Sequence, residues 1–172
     1  MRLFLGIEIP EDVKNHIYAF LLPCQTALKG WENPQDYHQT LLFIGEVSTD
    51  DLKIILERLA NFQFTPFTLT LDKFYFFNRR IMYLGFLPSI ALIDLKKKVE
   101  EVFHEWVKPQ KKPFVPHITV KRWQRYEYDG LKSCLNSRFF EKKEILVYKL
   151  VLFKSEKDQY NQKYHVMSKK LF

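Results

Sequence analysis

The chain has 172 residues, 47% of them apolar and 16% aromatic, enough for one domain with a sizeable core and too apolar for intrinsic disorder. No apolar run approaches the ~18 residues of a membrane span, and Glu8, Glu11 and Asp12 break the apolar start that a secretory signal would need, so a cytoplasmic protein with no membrane association is expected. Lysine and arginine number 27 against 20 acids, a net charge of +7 that favours a polyanionic partner and says nothing of the fold.

Residues 2–9 are rich in Leu, Phe and Ile and predict a buried strand. Pro10, Glu11 and Asp12 then open a helix carrying Val13, Ile17, Phe20 and Leu21, which Pro23 ends or kinks. Tyr37 to Val47 reads as a strand ending at Gly45, and Ser48, Thr49 and Asp50 offer caps for a helix with Leu52, Ile55, Leu56 and Leu59 on one face. Phe67, Leu69 and Leu71 alternate with Thr68 and Thr70, as in a half-exposed strand. Asn78, Arg79 and Arg80 supply a charged turn before a strand over Ile81–Leu87. Ser89 caps a long helix with Leu92, Leu95, Val99, Val102, Phe103 and Trp106 as its apolar stripe and Lys96, Lys97 and Lys98 on its solvated part. Lys108–Pro116 is a proline-rich loop, Pro116–Arg122 a strand, 129–139 a short helix, and 144–153 and 162–172 two final strands. That order predicts an α+β unit without an independent second domain. Cys24 and Cys134 lie far apart, with no CxxC and no Cys/His grouping at zinc spacing, and are expected to be ordinary thiols of a reducing compartment.

Two tripeptides carry the chemistry: His38-Gln39-Thr40 and His117-Ile118-Thr119. Five histidines and seven threonines would give about 0.2 such His-x-Thr matches by chance, and two occur, both in strand-like runs. Positions i and i+2 of a strand share a face, so each tripeptide sets an imidazole beside a hydroxyl. Leu41, Phe43, Ile118 and Val120 are expected to turn the other way into the core; Gln39 is the polar misfit in that pattern. The remaining histidines, His16, His104 and His165, read as structural or solvent-facing. Trp31, Tyr37, Phe43, Phe114 and Trp123 are the aromatics near enough to the motifs to be considered for stacking a base, although core packing is the simpler role for each.

Met1–Pro10, Tyr37–Glu46, Lys112–Arg122 and Leu150–Ser155 together resemble the bacterial and archaeal RNA 2′,3′-cyclic phosphodiesterases, also called 2′–5′ RNA ligases, of the two-histidine phosphoesterase superfamily. The chain departs from that pattern at Gln39, where an apolar residue is usual, and at Leu42, where a basic one is common. The resemblance implies a single domain over 1–172, α+β and bilobal, with two pseudo-symmetric lobes of antiparallel strands, helices outside and a central cleft. It implies hydrolysis of RNA 2′,3′-cyclic phosphate ends to a 2′-phosphomonoester, with His38 as general acid, His117 as base, and Thr40, Thr119 and Arg122 on the phosphate. The alternatives are 2′–5′ ligation or 2′–5′ phosphodiesterase activity, or a non-catalytic module that binds RNA ends. No cofactor, no metal and no obligatory protein partner are expected, and the chain is expected to be a monomer.

The residues suit that chemistry. Imidazole populates both its forms near neutral pH, so two histidines on opposite sides of a phosphorus can serve an in-line displacement as base and acid. Threonine hydroxyls can donate to the non-bridging oxygens where charge builds. The residues alone leave the two histidine roles exchangeable. Strict alternation from His117 would turn Lys121, not Arg122, toward the site; Arg122 faces it only if the strand ends or bulges after Thr119.

Overall fold

Residues 3–7 (Leu-Phe-Leu-Gly-Ile) present no polar side chain, and the strand they form, β1 (Arg2–Glu8), is buried on both faces near the middle of the sheet. A computed structural model of the protein describes residues 1–25, 30–109, 113–122, 128–157 and 162–171. Pro10 sits at the N-cap of α1 (Glu11–Leu21), and Pro23 turns the chain into a short 3₁₀ helix over Leu22–Cys24. After β2 (His38–Glu46), the Ser48 hydroxyl accepts from the Asp51 N–H at 3.1 Å and starts α2 (Thr49–Asn61). Two strands, β3 (Phe67–Phe77) and β4 (Ile81–Phe86), form a hairpin closed by Asn78 and Arg79 in the left-handed region, at φ 48° and 54°. Ser89 caps α3 (Ile90–Val102) in the same way as Ser48 caps α2. Then come β5 (His117–Arg122), α4 (Tyr128–Asn136), β6 (Glu144–Val147), β7 (Lys149–Lys157) and β8 (Gln162–Leu171).

The strands make one eight-stranded sheet in the order β6-β3-β4-β5-β2-β1-β7-β8, and the recorded ladders are antiparallel. It falls into two halves of four, β6-β3-β4-β5 and β2-β1-β7-β8. Within a half the ladders run long; between the halves, β2 and β5 meet at one pair, Gln39 with Ile118. A single apolar core joins Leu3, Leu5, Leu71, Leu84 and Ile118 of the sheet to Ile17, Ile55, Val99 and Leu131 of α1, α2, α3 and α4. A smaller cluster of Phe4, Val151 and Phe153, with Tyr164 against it, lies on the opposite face.

Four expectations are corrected here. Residues 144–153 are not one strand: the chain crosses at Tyr148, so β6 pairs with β3 at one edge and β7 with β1 in the other half. Lys96 is not solvated but buried, its ammonium bonded to Glu100 and lying 5.4 Å from the Phe114 ring centre. Phe43 is not core but 60% exposed, for a reason given below. Cys24 and Cys134 are not free thiols: they are joined in a disulfide that ties the 3₁₀ helix after α1 to α4. The separation of the two cysteines in sequence had hidden their meeting in space, and the argument they offered for a reducing compartment goes with it. Among the described residues no helix is long and apolar enough to cross a membrane.

Candidate active site

The pair Gln39–Ile118 sets the site. Extending its antiparallel register by one residue each way puts His38 opposite Thr119 and Thr40 opposite His117. Gln39 and Ile118 are buried on the helix-covered side, so the four alternating residues share the other face, with each histidine across from the other motif's threonine. The imidazoles occupy diagonal corners of this quartet. The His117 charge counts among the influences on His38, which marks the two rings as neighbours.

Each ring is held the same way. His38 Nδ1 lies 2.6 Å from the Asp36 carbonyl, and His117 Nδ1 lies 2.7 Å from the Val115 carbonyl, in each case two residues back. A carbonyl only accepts, so Nδ1 carries the proton and Nε2 is left as the reactive nitrogen. Aromatic rings wall both: Phe4, Phe153 and Tyr164 lie 4.7, 5.5 and 4.5 Å from His38, and Phe77 and Tyr83 lie 5.2 and 5.4 Å from His117. This apolar enclosure disfavours the charged form and pushes His38 down to about 4; His117 is lowered by burial and by Arg122.

A bulge follows each threonine. In β5, Thr119 pairs with Tyr83 and Lys121 with Met82, so Val120 is the extra residue; in β2, Thr40 pairs with Gly6 and Leu42 with Leu5, so Leu41 is extra. The phase therefore flips after both motifs. Val120 and Lys121 both point into the buried side, and Lys121 is fully buried with its ammonium 4.7 Å from the Trp31 ring centre. Arg122 returns to the histidine face, where its charge lowers both imidazoles. The same flip turns Leu42 inward and Phe43 outward, 5.9 Å from Phe4 on the histidine side, which is why Phe43 is not core.

Three residues that the sequence reading did not single out join this face. Arg122 Nε is 2.8 Å from Glu32 Oε1, and Arg122 also bonds the Tyr164 hydroxyl. Residues 30–32 run beside the end of β5 through bonds from Glu32 N to Val120 O and from Arg122 N to Gly30 O, which brings Glu32 to the arginine. Asp36 accepts from the Tyr164 N–H at 3.3 Å, docking β8 beside His38. Burial pushes the Glu32 and Asp36 carboxyls up. No motif marks these residues, because their partners lie up to 128 positions away. Next to them is a cavity of about 250 Å³ lined by Trp31, Glu32, Asp36, Tyr164 and His165, among others. A larger recess of about 620 Å³, lined by residues of α2 and α3, contains no motif residue. Of the other candidate aromatics, Tyr37 is core and Phe114 packs on Lys96; Trp123 lies outside the described residues. His16 bonds the Glu141 carbonyl and His104 the Glu101 carbonyl, both away from the motifs, whereas His165 reaches the rim of the smaller cavity.

The profile of the 2′-5′ RNA ligase superfamily matches residues 25–159, which include both His-x-Thr tripeptides and the bulges behind them. The chain belongs to that superfamily. An RNA 2′,3′-cyclic phosphodiesterase of Archaeoglobus fulgidus is 30% identical over 131 residues, covering 73% of this chain and 74% of the relative. One of Methanocaldococcus jannaschii is 29% identical over 168 residues, covering 88% and 92%. The crystal structure of E. coli LigT complexed with 3′-AMP matches with a TM-score of 0.78 at 22% identity, covering 99% of this chain and 97% of that one, a likeness of fold. Relative to the usual superfamily pattern, Leu42 occupies in β2 the buried place that Lys121 occupies in β5, and Gln39 is buried at the seam between the halves.

Proposed function

We propose that this protein hydrolyses RNA 2′,3′-cyclic phosphate ends to 2′-phosphomonoesters. The observation that carries the reading is the diagonal His/Thr quartet across the Gln39–Ile118 pair, with both Nδ1 atoms engaged by carbonyls and both Nε2 atoms left for chemistry. In the role assignment that the family pattern implies, His117 Nε2 takes a proton from water as its oxygen attacks phosphorus. The P–O3′ bond breaks on the far side, and His38 Nε2–H delivers a proton to the departing O3′. Thr40, Thr119 and Arg122 donate to the non-bridging oxygens as their charge grows. The substrate itself supplies what His38 lacks in the free protein: an anionic diester beside the imidazole favours its charged form and opposes the depression caused by burial. The names of the relatives agree with this substrate. The RNA end is the expected partner, and the cavity beside Tyr164 is wide enough to receive part of the terminal nucleotide.

His38→Ala and His117→Ala are the test. Each should lower turnover of an oligonucleotide with a 2′,3′-cyclic phosphate by ~10²–10⁴-fold while the RNA end still binds. The double variant should lose far less than the product of the two effects. Near-wild-type turnover in both single variants would remove the reading, and a module that only binds RNA ends would show no turnover to lose.

A further inference from the structure

Gln39 is the one fully buried polar side chain inside either motif, and its carboxamide makes two bonds at the seam between the halves, one across it to β5 and one back to the backbone of its own strand. Its Oε1 accepts from the His117 backbone N–H at 2.5 Å, and its Nε2 donates to the Thr40 carbonyl at 2.5 Å. The Gln39–Ile118 register faces Thr40 with His117, the place where an antiparallel ladder would next put a direct N–H to C=O bond. The carboxamide stands between the groups that would make that bond, accepting from one and donating to the other. On the other side of β2, Gly6 of β1 lets the backbone of Gln39 come close: a Cβ there would lie within 2.6 Å of the Gln39 backbone carbonyl oxygen.

We infer that Gln39 is a positioning residue for the two-histidine chemistry, a spacer that holds Thr40 and His117 one carboxamide apart and so fixes the reach between the two imidazoles. The inference rests on the function proposed above for its kinetic consequence, and on the seam geometry for its structural one. An apolar side chain at this position satisfies neither group. The seam must then either close into a direct bond, which draws His117 toward β2, or leave a buried N–H and C=O unpaired. Both displace the base relative to the acid, and in-line displacement tolerates little displacement.

Two variants test this. Gln39→Met keeps the length and removes both bonds; it should lower kcat on a cyclic-phosphate oligonucleotide roughly ten- to a hundredfold and leave KM within about threefold. Gln39→Glu can donate and accept when protonated but only accept when ionised. Its kcat should approach the wild-type value at acid pH and fall as the carboxyl ionises, adding a limb to the pH profile that the wild type lacks. A separate reading needs no substrate: the His117 ring titration, followed by NMR, should move in Gln39→Met. An unmoved titration overturns the inference even where the wild type proves inactive on cyclic phosphate, which would sink the functional proposal instead. Should Gln39→Met fail to fold, a Gln39→Glu profile with no added limb overturns it equally.

Discussion

At the scale of single residues, the two imidazoles are alike in tautomer and unlike in enclosure. The three rings around His38 push its pKa to about 4, against 6.5 for an ordinary histidine. The unfolded chain therefore takes up a proton through that window while the folded protein does not. The neutral, buried His38 contributes stability fully above 6.5, and the contribution is lost as pH falls toward 4, by at most about 3 kcal/mol. Glu32 and Asp36, with raised carboxyls, work in the opposite sense. The contribution of His38 is thus read as a difference: His38→Leu should lose less melting temperature than wild type between pH 7 and 4.5. Equal losses would mean that His38 titrates as in the unfolded chain. In catalysis the substrate anion raises the histidine that gives up its proton, so the alkaline limb of kcat should lie at higher pH than that of kcat/KM. A substrate with a much better leaving group than the ribose oxygen should restore most of the lost rate to His38→Ala and little to His117→Ala. Rescue of the His117 variant alone would exchange the roles.

At the scale of elements, the bulges after Thr40 and Thr119 shape the site more than any single side chain. They let a strand carry His and Thr on one face and then present Arg122 on that face as well, while Lys121 goes inside. Strand periodicity made the His-x-Thr faces legible, and the capping serines made α2 and α3 legible in the same local way. A bulge leaves no such mark, because it depends on how two strands fit together; alternation alone therefore turns Phe43 inward, and brings Arg122 to the site only where the strand bulges after Thr119. Tyr148 hid the division of 144–153 similarly, since β6 and β7 are equally apolar and differ only in which half they join. The close approach of β1 to β2 gives a prediction at this scale. Gly6→Ala places a Cβ against the Gln39 carbonyl and should cost about 1–3 kcal/mol of stability, with a loss of turnover because Gln39 moves. A variant with wild-type melting and kcat would show that the seam is not so tight.

At the scale of the whole molecule, the halves of the sheet are joined by the β2–β5 pair and one continuous core, while the disulfide ties the 3₁₀ helix after α1 to α4. Cys24–Cys134 closes a loop of 110 residues, and removing it by Cys24→Ser with Cys134→Ser should lower stability by about 2–5 kcal/mol. Neither cysteine touches the quartet, so turnover well below the melting temperature should hold; melting curves and rates measured together decide this. The net charge of +7 should aid capture of an RNA end, but contact with a terminal phosphate and a few neighbours gives only a shallow dependence on salt. Lys111 and Lys112, which add to the charge before the second motif, lie outside the described residues. A log–log slope of about −6 or steeper would point to an extended RNA-binding surface instead.

The claim that the two His-x-Thr motifs carry out the hydrolysis without a metal ion is tested most directly by the product. An oligonucleotide ending in a 2′,3′-cyclic phosphate is incubated with the protein in excess EDTA, and the phosphate on the product is located by its sensitivity to enzymes that act on 3′- but not 2′-phosphates. The account predicts complete conversion to a 2′-phosphomonoester at a rate that EDTA leaves unchanged. A 3′-phosphate, an unreacted ring, or activity that EDTA abolishes would contradict it.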